Sequence, residues 1–274
     1  AFLPNRYQGC PIGNASVEPM EAKVGHIANQ RDSFAQQRAQ IQMLRLFNQS
    51  PAIQGMKERM WKEKIENFEM AFRMQTSIPK VQDISNESEA TKHLYGLDQK
   101  ISENFGTQCL IARRFLEEGV RFVQVTHSAL KAQWDQHGNL RRDHAERAAQ
   151  VDQPISGLLA DLKQRGMLED TLVVWAGEFG RTPTVQGPKF DGRDHNPHGF
   201  TIWLAGAGVK QGFSYGATDE LGYYAEKDPV HVHDFHATLL AFLGIDHEKL
   251  TYHFAGRDFR LTDVHGRVVK EIFA

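Results

Sequence analysis

Three stretches of the sequence concentrate side chains that bind metal ions or move protons. Trp134-Asp135-Gln136-His137-Gly138-Asn139 sets a carboxylate and an imidazole two residues apart, a short way after His127. Gly177-Glu178-Phe179-Gly180-Arg181-Thr182-Pro183 adds an acid and a guanidinium. Gly192-Arg193-Asp194-His195-Asn196-Pro197-His198-Gly199 adds two more imidazoles beside an acid. A divalent cation asks for this mixture, because neutral nitrogen and anionic oxygen must replace the water it gives up. Asp135, His137, Glu178, Asp194 and His195 are therefore the candidate metal ligands. Arg181 and Arg193 are candidates to hold a tetrahedral anion bidentately, and His127 and His198 to serve as a further ligand or proton donor. Histidine ligands lean toward zinc, manganese or iron and carboxylates toward calcium or magnesium, so the identity of the metal stays open. Each string also has an ordinary reading. Asp-x-His fits a solvated turn, Glu178 a partner for Arg181 or a helix cap, and Asp194 and His195 fit plain loop polars. Their joint placement at strand ends favours a site.

Other strings carry less. His231, His233 and His236 cluster, but Asp234 reads as the N-cap of a helix and His236 as part of its first turn. Gly206-x-Gly208-x-x-x-Gly212 has the wrong last spacing for a dinucleotide loop. Gly212-Phe213-Ser214-Tyr215-Gly216 spells a nucleophile elbow without the strand before it or the helix after it, and reads better as a Gly-rich turn. Cys10 and Cys109 are the only cysteines. They exclude a disulfide framework and a cysteine-built zinc site, and leave one bridge or two thiols open.

The elements that must position these residues follow from periodicity. Residues 1–25 read as an extended segment. Phe34, Ile41 and Leu44 share one face of a helix around 28–48. Ile53, Met56, Met60, Phe68 and Phe72 repeat at helical spacing through 52–75, after Pro51. Residues 77–100 read as a polar linker with turn signals. From 101 onward helix and strand alternate. Phe105, Cys109, Ala112 and Leu116 mark a helix that stops at Gly119, and a strand follows over 120–125. Val151, Ile155, Leu158, Leu159 and Leu162 mark the next helix, closed by Gly166. Strands are expected over 171–176 and 200–204, then a helix bearing Leu239, Leu240 and Leu243 that ends at Gly244. This order predicts an α/β fold with a mainly parallel, doubly wound sheet over 101–274, and an extended and helical region over 1–100 packing on it.

Composition limits the function classes. The 274 residues carry 32 Lys+Arg against 34 Asp+Glu, a formal charge of −2, which leaves no electrostatic footprint for nucleic acid. Hydrophobic residues at 41% and charged residues at 24% exclude general disorder. No stretch approaches the ~20 apolar residues of a membrane helix. The first residues, Ala1-Phe2-Leu3-Pro4-Asn5-Arg6-Tyr7, lack the basic and apolar regions of a signal peptide.

The string Thr171-Leu172-Val173-Val174-Trp175-Ala176-Gly177-Glu178-Phe179-Gly180-Arg181-Thr182-Pro183 resembles the signature of a sulfatase-like family of unknown function within the alkaline phosphatase superfamily. Gly192-Arg193-Asp194-His195, Tyr215-Gly216-Ala217-Thr218-Asp219-Glu220, His236-Ala237-Thr238-Leu239-Leu240, Cys109-Leu110-Ile111-Ala112-Arg113-Arg114 and Phe2-Leu3-Pro4 are similar to its other recurring strings. The resemblance implies an alkaline-phosphatase-like central sheet between helices and a two-part cation site. Asp135, His137 and His195 resemble the ligands of one cation, and Glu178 the acid of an acid–histidine pair for the other. Phe179 stands where that pair's histidine is expected. The family is longer at its amino terminus, where the first strand, an acidic ligand and the nucleophile lie. The resemblance therefore implies a partner fragment, substitute strand or homo-oligomer to cover the sheet edge. It also implies a periplasmic or cell-surface setting.

The function expected is a metal-dependent hydrolase acting on small-molecule or carbohydrate phosphate or sulfate esters. A non-catalytic binding or assembly protein on the same scaffold is the alternative, with the helices at 28–75 as its partner surface. A serine esterase acting through Ser214 is a third reading.

Overall fold

Helices dominate the described residues from 34 to 117 because apolar residues recur there every three or four positions. The structure, a computed structural model, describes residues 7, 9–13, 21–22, 29–48, 58–127, 134–186 and 190–274, with backbone only over 58–64. The described residues form two compact units, 1–132 with 153–155, and 133–152 with 156–274. The extended segment expected at 1–25 and the expected helix start after Pro51 fall largely outside the described residues.

The first unit contains α1 (Phe34–Asn48), α2 (Glu58–Gln82), α3 (Glu89–Leu94) and α4 (Glu103–Glu117). Phe34 of α1 stacks on Phe72 of α2 with ring centroids 4.3 Å apart. Beside them Gln75 Nε2 donates to Gln37 Oε1 at 2.8 Å. α2 runs beyond the end expected for it, so the linker expected over 77–100 is corrected. Ile78 and Val81 are buried, and their burial carries the helix past Pro79, which removes one N–H donor. Ser88 then caps α3, its Oγ accepting from Thr91 N at 3.0 Å. α4 buries Phe105, Cys109, Leu110 and Ala112 and ends as its sequence predicts, with Gly119 at φ +84°. Cys109 and Cys10 are both free thiols. Burial pushes the Cys109 thiol up to about 12, so alkylation at pH 8 is expected to label exposed Cys10 and spare Cys109 until the chain unfolds. Mass spectrometry of native and denatured samples checks this, and rapid native labelling of Cys109 would contradict the packing of α4.

Residues 120–125, expected as a strand, have no ladder partner among the described residues. Phe122 is 72% exposed. An apolar run becomes a strand only where another strand takes up its N–H and C=O groups.

Most of α5 (Leu140–Gln164), all but 153–155, belongs to the second unit, and its sequence period and terminator are both observed. Gly166 takes φ +68°, and Met167 N donates back to Leu162 O at 2.8 Å. Four antiparallel pairs follow. β1 (Val173–Trp175) pairs with β4 (Trp203–Ala205), and β2 (Gly180–Gln186) with β3 (Gly192–Asn196). β5 (Ala217–Thr218) pairs with β6 (Ala225–Lys227), and β7 (Thr251–Phe254) with β8 (Arg257–Arg260). The protein is thus a mixed helix-and-strand fold, and the expected parallel ladder is not among its described pairings. Among its described residues the chain between β1 and β4 holds the β2–β3 ladder and no helix, whereas a parallel neighbour needs a crossover, usually helical, of a dozen or more residues. β1 and β4 are also shorter than the strands expected at 171–176 and 200–204.

α6 (Val232–Phe242) begins one turn before the expected cap. His231 is the N-cap, with Nδ1 accepting from His233 N, and Asp234 closes the box by accepting from His231 N at 3.2 Å. Ser214 lies in a loop ahead of β5, flanked by neither the strand nor the helix that an elbow requires. No helix among the described residues is long and apolar enough to cross a membrane.

Candidate metal centre

The β2–β3 ladder brings the second and third motif strings together. Arg181 lies directly opposite His195, Gly180 opposite Asn196, and Gln186 opposite Gly192. The register shifts between Arg181 and Val185, a stretch containing Pro183, which has no N–H to give to a ladder. The first string docks against the far end of the hairpin through its backbone. Arg193 N donates to Gln136 O at 3.0 Å, and Leu140 N to Asp191 O at 3.0 Å. Gly192 makes this approach feasible, since a Cβ there would lie 2.1 Å from the carbonyl carbon and oxygen of His137. His137 and Asp135 are thereby delivered to the face of the hairpin that carries His195.

Asp135, His137 and His195 form a group of three potential metal ligands among the described residues. His137 Nε2 and His195 Nε2 each lie 2.9 Å from Asp135 Oδ1 and 3.2 Å from each other. Ligands at about 2.0–2.2 Å from a tetrahedral zinc are separated by about 3.4 Å, so a small shared cation fits these spacings after slight relaxation. The hydrogen-bond inventory agrees. His137 Nδ1 lies 2.6 Å from the side-chain oxygen of Gln186, which can only accept, and this places the ring's proton on Nδ1. Nε2 of His137 then faces Asp135 Oδ1 with a lone pair against a lone pair. A shared positive charge, whether a proton or a metal ion, satisfies that contact, and the donor set suits a metal.

Arg181 completes the cluster. Its Nη2 donates to Asp135 Oδ1 and to Trp134 O, both at 2.9 Å. The hydrogen bond from His195 outweighs the opposing effect of burial and, with that from Arg181 and the nearby positive charge, holds the Asp135 carboxyl below its ordinary value. It is a carboxylate at neutral pH. Phe179 stacks on His195 with centroids 4.1 Å apart, and the Arg181 guanidinium lies 5.8 Å from its centroid. Phe179 thus fixes the ring plane of His195. Trp134 packs edge-on against Trp175 and His144.

The remaining candidates are not members of this group. Asp194 precedes His195 on β3, and the two-residue period of a strand sends its side chain to the opposite face. Its Oδ1 accepts from His195 N at 2.8 Å. Glu178 is exposed, ahead of β2. The Arg193 guanidinium donates to Gly192 O at 2.8 Å. His198 lies in the turn after β3, its ring 5.2 Å from Tyr224. His127 belongs to the first unit, edge-on to Phe105 at 5.0 Å. Sequence reasoning missed Gln186, gave Gly192 no part, and read Phe179 only as standing where a histidine is expected. The ladder register that places Gln186 opposite Gly192 has no signature in residue types.

Fold and cluster together define a helix-and-strand protein with an Asp-His-His candidate metal centre built on a β-hairpin. The chain belongs to the DUF1501 family, described as proteins of unknown function, which matches residues 1–273. No match was found among curated proteins, and none among solved structures.

Proposed function

We propose that this chain is a metal-dependent hydrolase of phosphate or sulfate esters, with Asp135, His137 and His195 holding one divalent cation. The observation that carries the reading is the meeting of three donor atoms within 3.2 Å of one another, from segments 60 residues apart. The bound cation would supply Lewis acidity to an ester oxygen. Arg181 fixes Asp135 and adds positive charge beside it, which favours an anionic substrate. Phe179 covers one face of His195. The sulfatase-like resemblance of the Thr171–Pro183 and Gly192–His195 strings supports the same chemistry, and an alkaline-phosphatase-like scaffold is part of that reading.

The test is element-specific X-ray analysis of the purified chain, with hydrolysis of p-nitrophenyl phosphate and p-nitrophenyl sulfate. The wild type is expected to carry one cation per chain. His137→Ala and His195→Ala are expected to lose the cation and the hydrolysis while keeping the far-UV circular dichroism. Metal content unchanged in both variants would overturn the site.

A second reading has its own observation. The side chains of Asp135, His137 and His195 are 37%, 41% and 43% exposed, more open than a water-excluding reaction site. A cation bound there could serve binding or assembly without catalysis. Metal-loaded protein that cleaves neither ester favours this reading.

A further inference from the structure

We propose that Gln186 is the positioning residue of the metal centre. Its side-chain oxygen takes the Nδ1 proton of His137 and thereby leaves Nε2 bare and directed at the point shared with Asp135 and His195. The inference rests on the reading that these three residues hold a cation, and adds a residue that determines how well they do so.

The contact is short and its partners are held from both sides. His137 Nδ1 and Gln186 Oε1 are 2.6 Å apart. Gln186 is the last residue of β2 and lies opposite Gly192 in the ladder. The backbone of His137 rests against that same Gly192. One rung of the hairpin therefore fixes the origin of the Gln186 side chain and the backbone that carries the imidazole. With backbone and Nδ1 both held, the ring has no free torsion left, and Nε2 can point only one way. A ligand nitrogen oriented in advance binds metal more tightly, because the ordering is complete before the metal arrives. An amide oxygen accomplishes this without adding charge, so among the described residues Asp135 remains the one anion in direct contact with the two imidazoles. His195 is oriented by another device, the stacked ring of Phe179. Outside their shared contact with Asp135 and each other, the two imidazoles are held by different partners, and loss of Gln186 should loosen His137 more than His195.

The test is Co2+ titration of the metal-free full chain, read by the visible absorption of the bound ion. It is paired with long-range 1H–15N spectra of the histidine side chains. Gln186→Ala is expected to weaken Co2+ binding by about 10–100-fold, with the thermal midpoint of the metal-free protein unchanged. Gln186→Glu, which keeps an acceptor oxygen at the same place, is expected to restore wild-type affinity. In the metal-free wild type the His137 resonances should show the proton on Nδ1. Wild-type affinity in Gln186→Ala overturns the positioning role, as does a His137 proton on Nε2 in the wild type, which needs no variant to fold. Equal Co2+ binding by wild type and His137→Ala, or none by the wild type, overturns instead the site on which the inference rests.

Discussion

Gly192→Ala is expected to destabilise the second unit by about 3 kcal/mol, the upper part of the range for overpacking, and to abolish Co2+ binding at the Asp135–His137–His195 cluster. The added methyl would meet the carbonyl carbon and oxygen of His137 at 2.1 Å and Gly138 N at 2.6 Å. These are backbone atoms, which cannot swing aside as a side-chain end does. Either the hairpin shifts or the loop bearing Asp135 and His137 lifts off, and both outcomes separate the two histidines. Gly138→Ala is the matched control. Its methyl would find only Asp191 Oδ1, at an ordinary 3.6 Å, and a change within about 0.5 kcal/mol is expected. Urea unfolding and Co2+ titration of both variants measure the contrast. Equal unfolding midpoints for Gly192→Ala and wild type would show that the loop does not dock on β3.

The contrast between these neighbouring glycines shows what residue types reveal. Asp135, His137 and His195 were recognisable because metal chemistry restricts ligands to a few side chains, whatever the fold. Helices were recognisable where burial repeats every three or four residues, as in α4 and α5, and where a glycine ends them. Pairing was not. The parallel sheet expected from helix–strand alternation assumed that 120–125 and 171–176 enter one ladder, and periodicity within a segment carries no information about its partner. The same gap hid Gln186. A glutamine nine positions before a histidine in one motif, and 49 after a histidine in another, signals nothing until a hairpin register sets it beside His137. Asp194 shows the converse. Adjacency to His195 made it a ligand candidate, yet adjacency on a strand places two side chains on opposite faces.

The largest effect expected away from the metal centre comes from Glu87→Ala, about 3 kcal/mol of lost stability. The Arg113 side chain is 2% exposed, and its Nη2 lies 2.8 Å from Glu87 Oε2. The other oxygen of Glu87 receives Arg114 Nη1 at 2.6 Å. One carboxylate thus joins α4 to the turn ahead of α3, and Arg114 extends the tie to α2 by donating to Val81 O at 2.7 Å. Truncation leaves a buried guanidinium with less counter-charge, which costs more than the pair itself contributes. Glu117, 2.6 Å from Arg113 Nη1, keeps the loss near the lower end of that range. Burial alone would raise the Glu87 carboxyl, but the hydrogen bonds from Arg114 and Arg113 and their charges outweigh it and hold the group below its ordinary value. With the folded value lower than the unfolded one, near 4.3, the ionised pair contributes fully above roughly that pH. Its contribution fades as pH falls through the folded value. The stability gap between wild type and Glu87→Gln in urea should therefore be constant from pH 7 to about pH 5 and narrow below about pH 4. A gap that widens with acid would mean that the carboxyl is raised and that desolvation, not the two arginines, governs this junction.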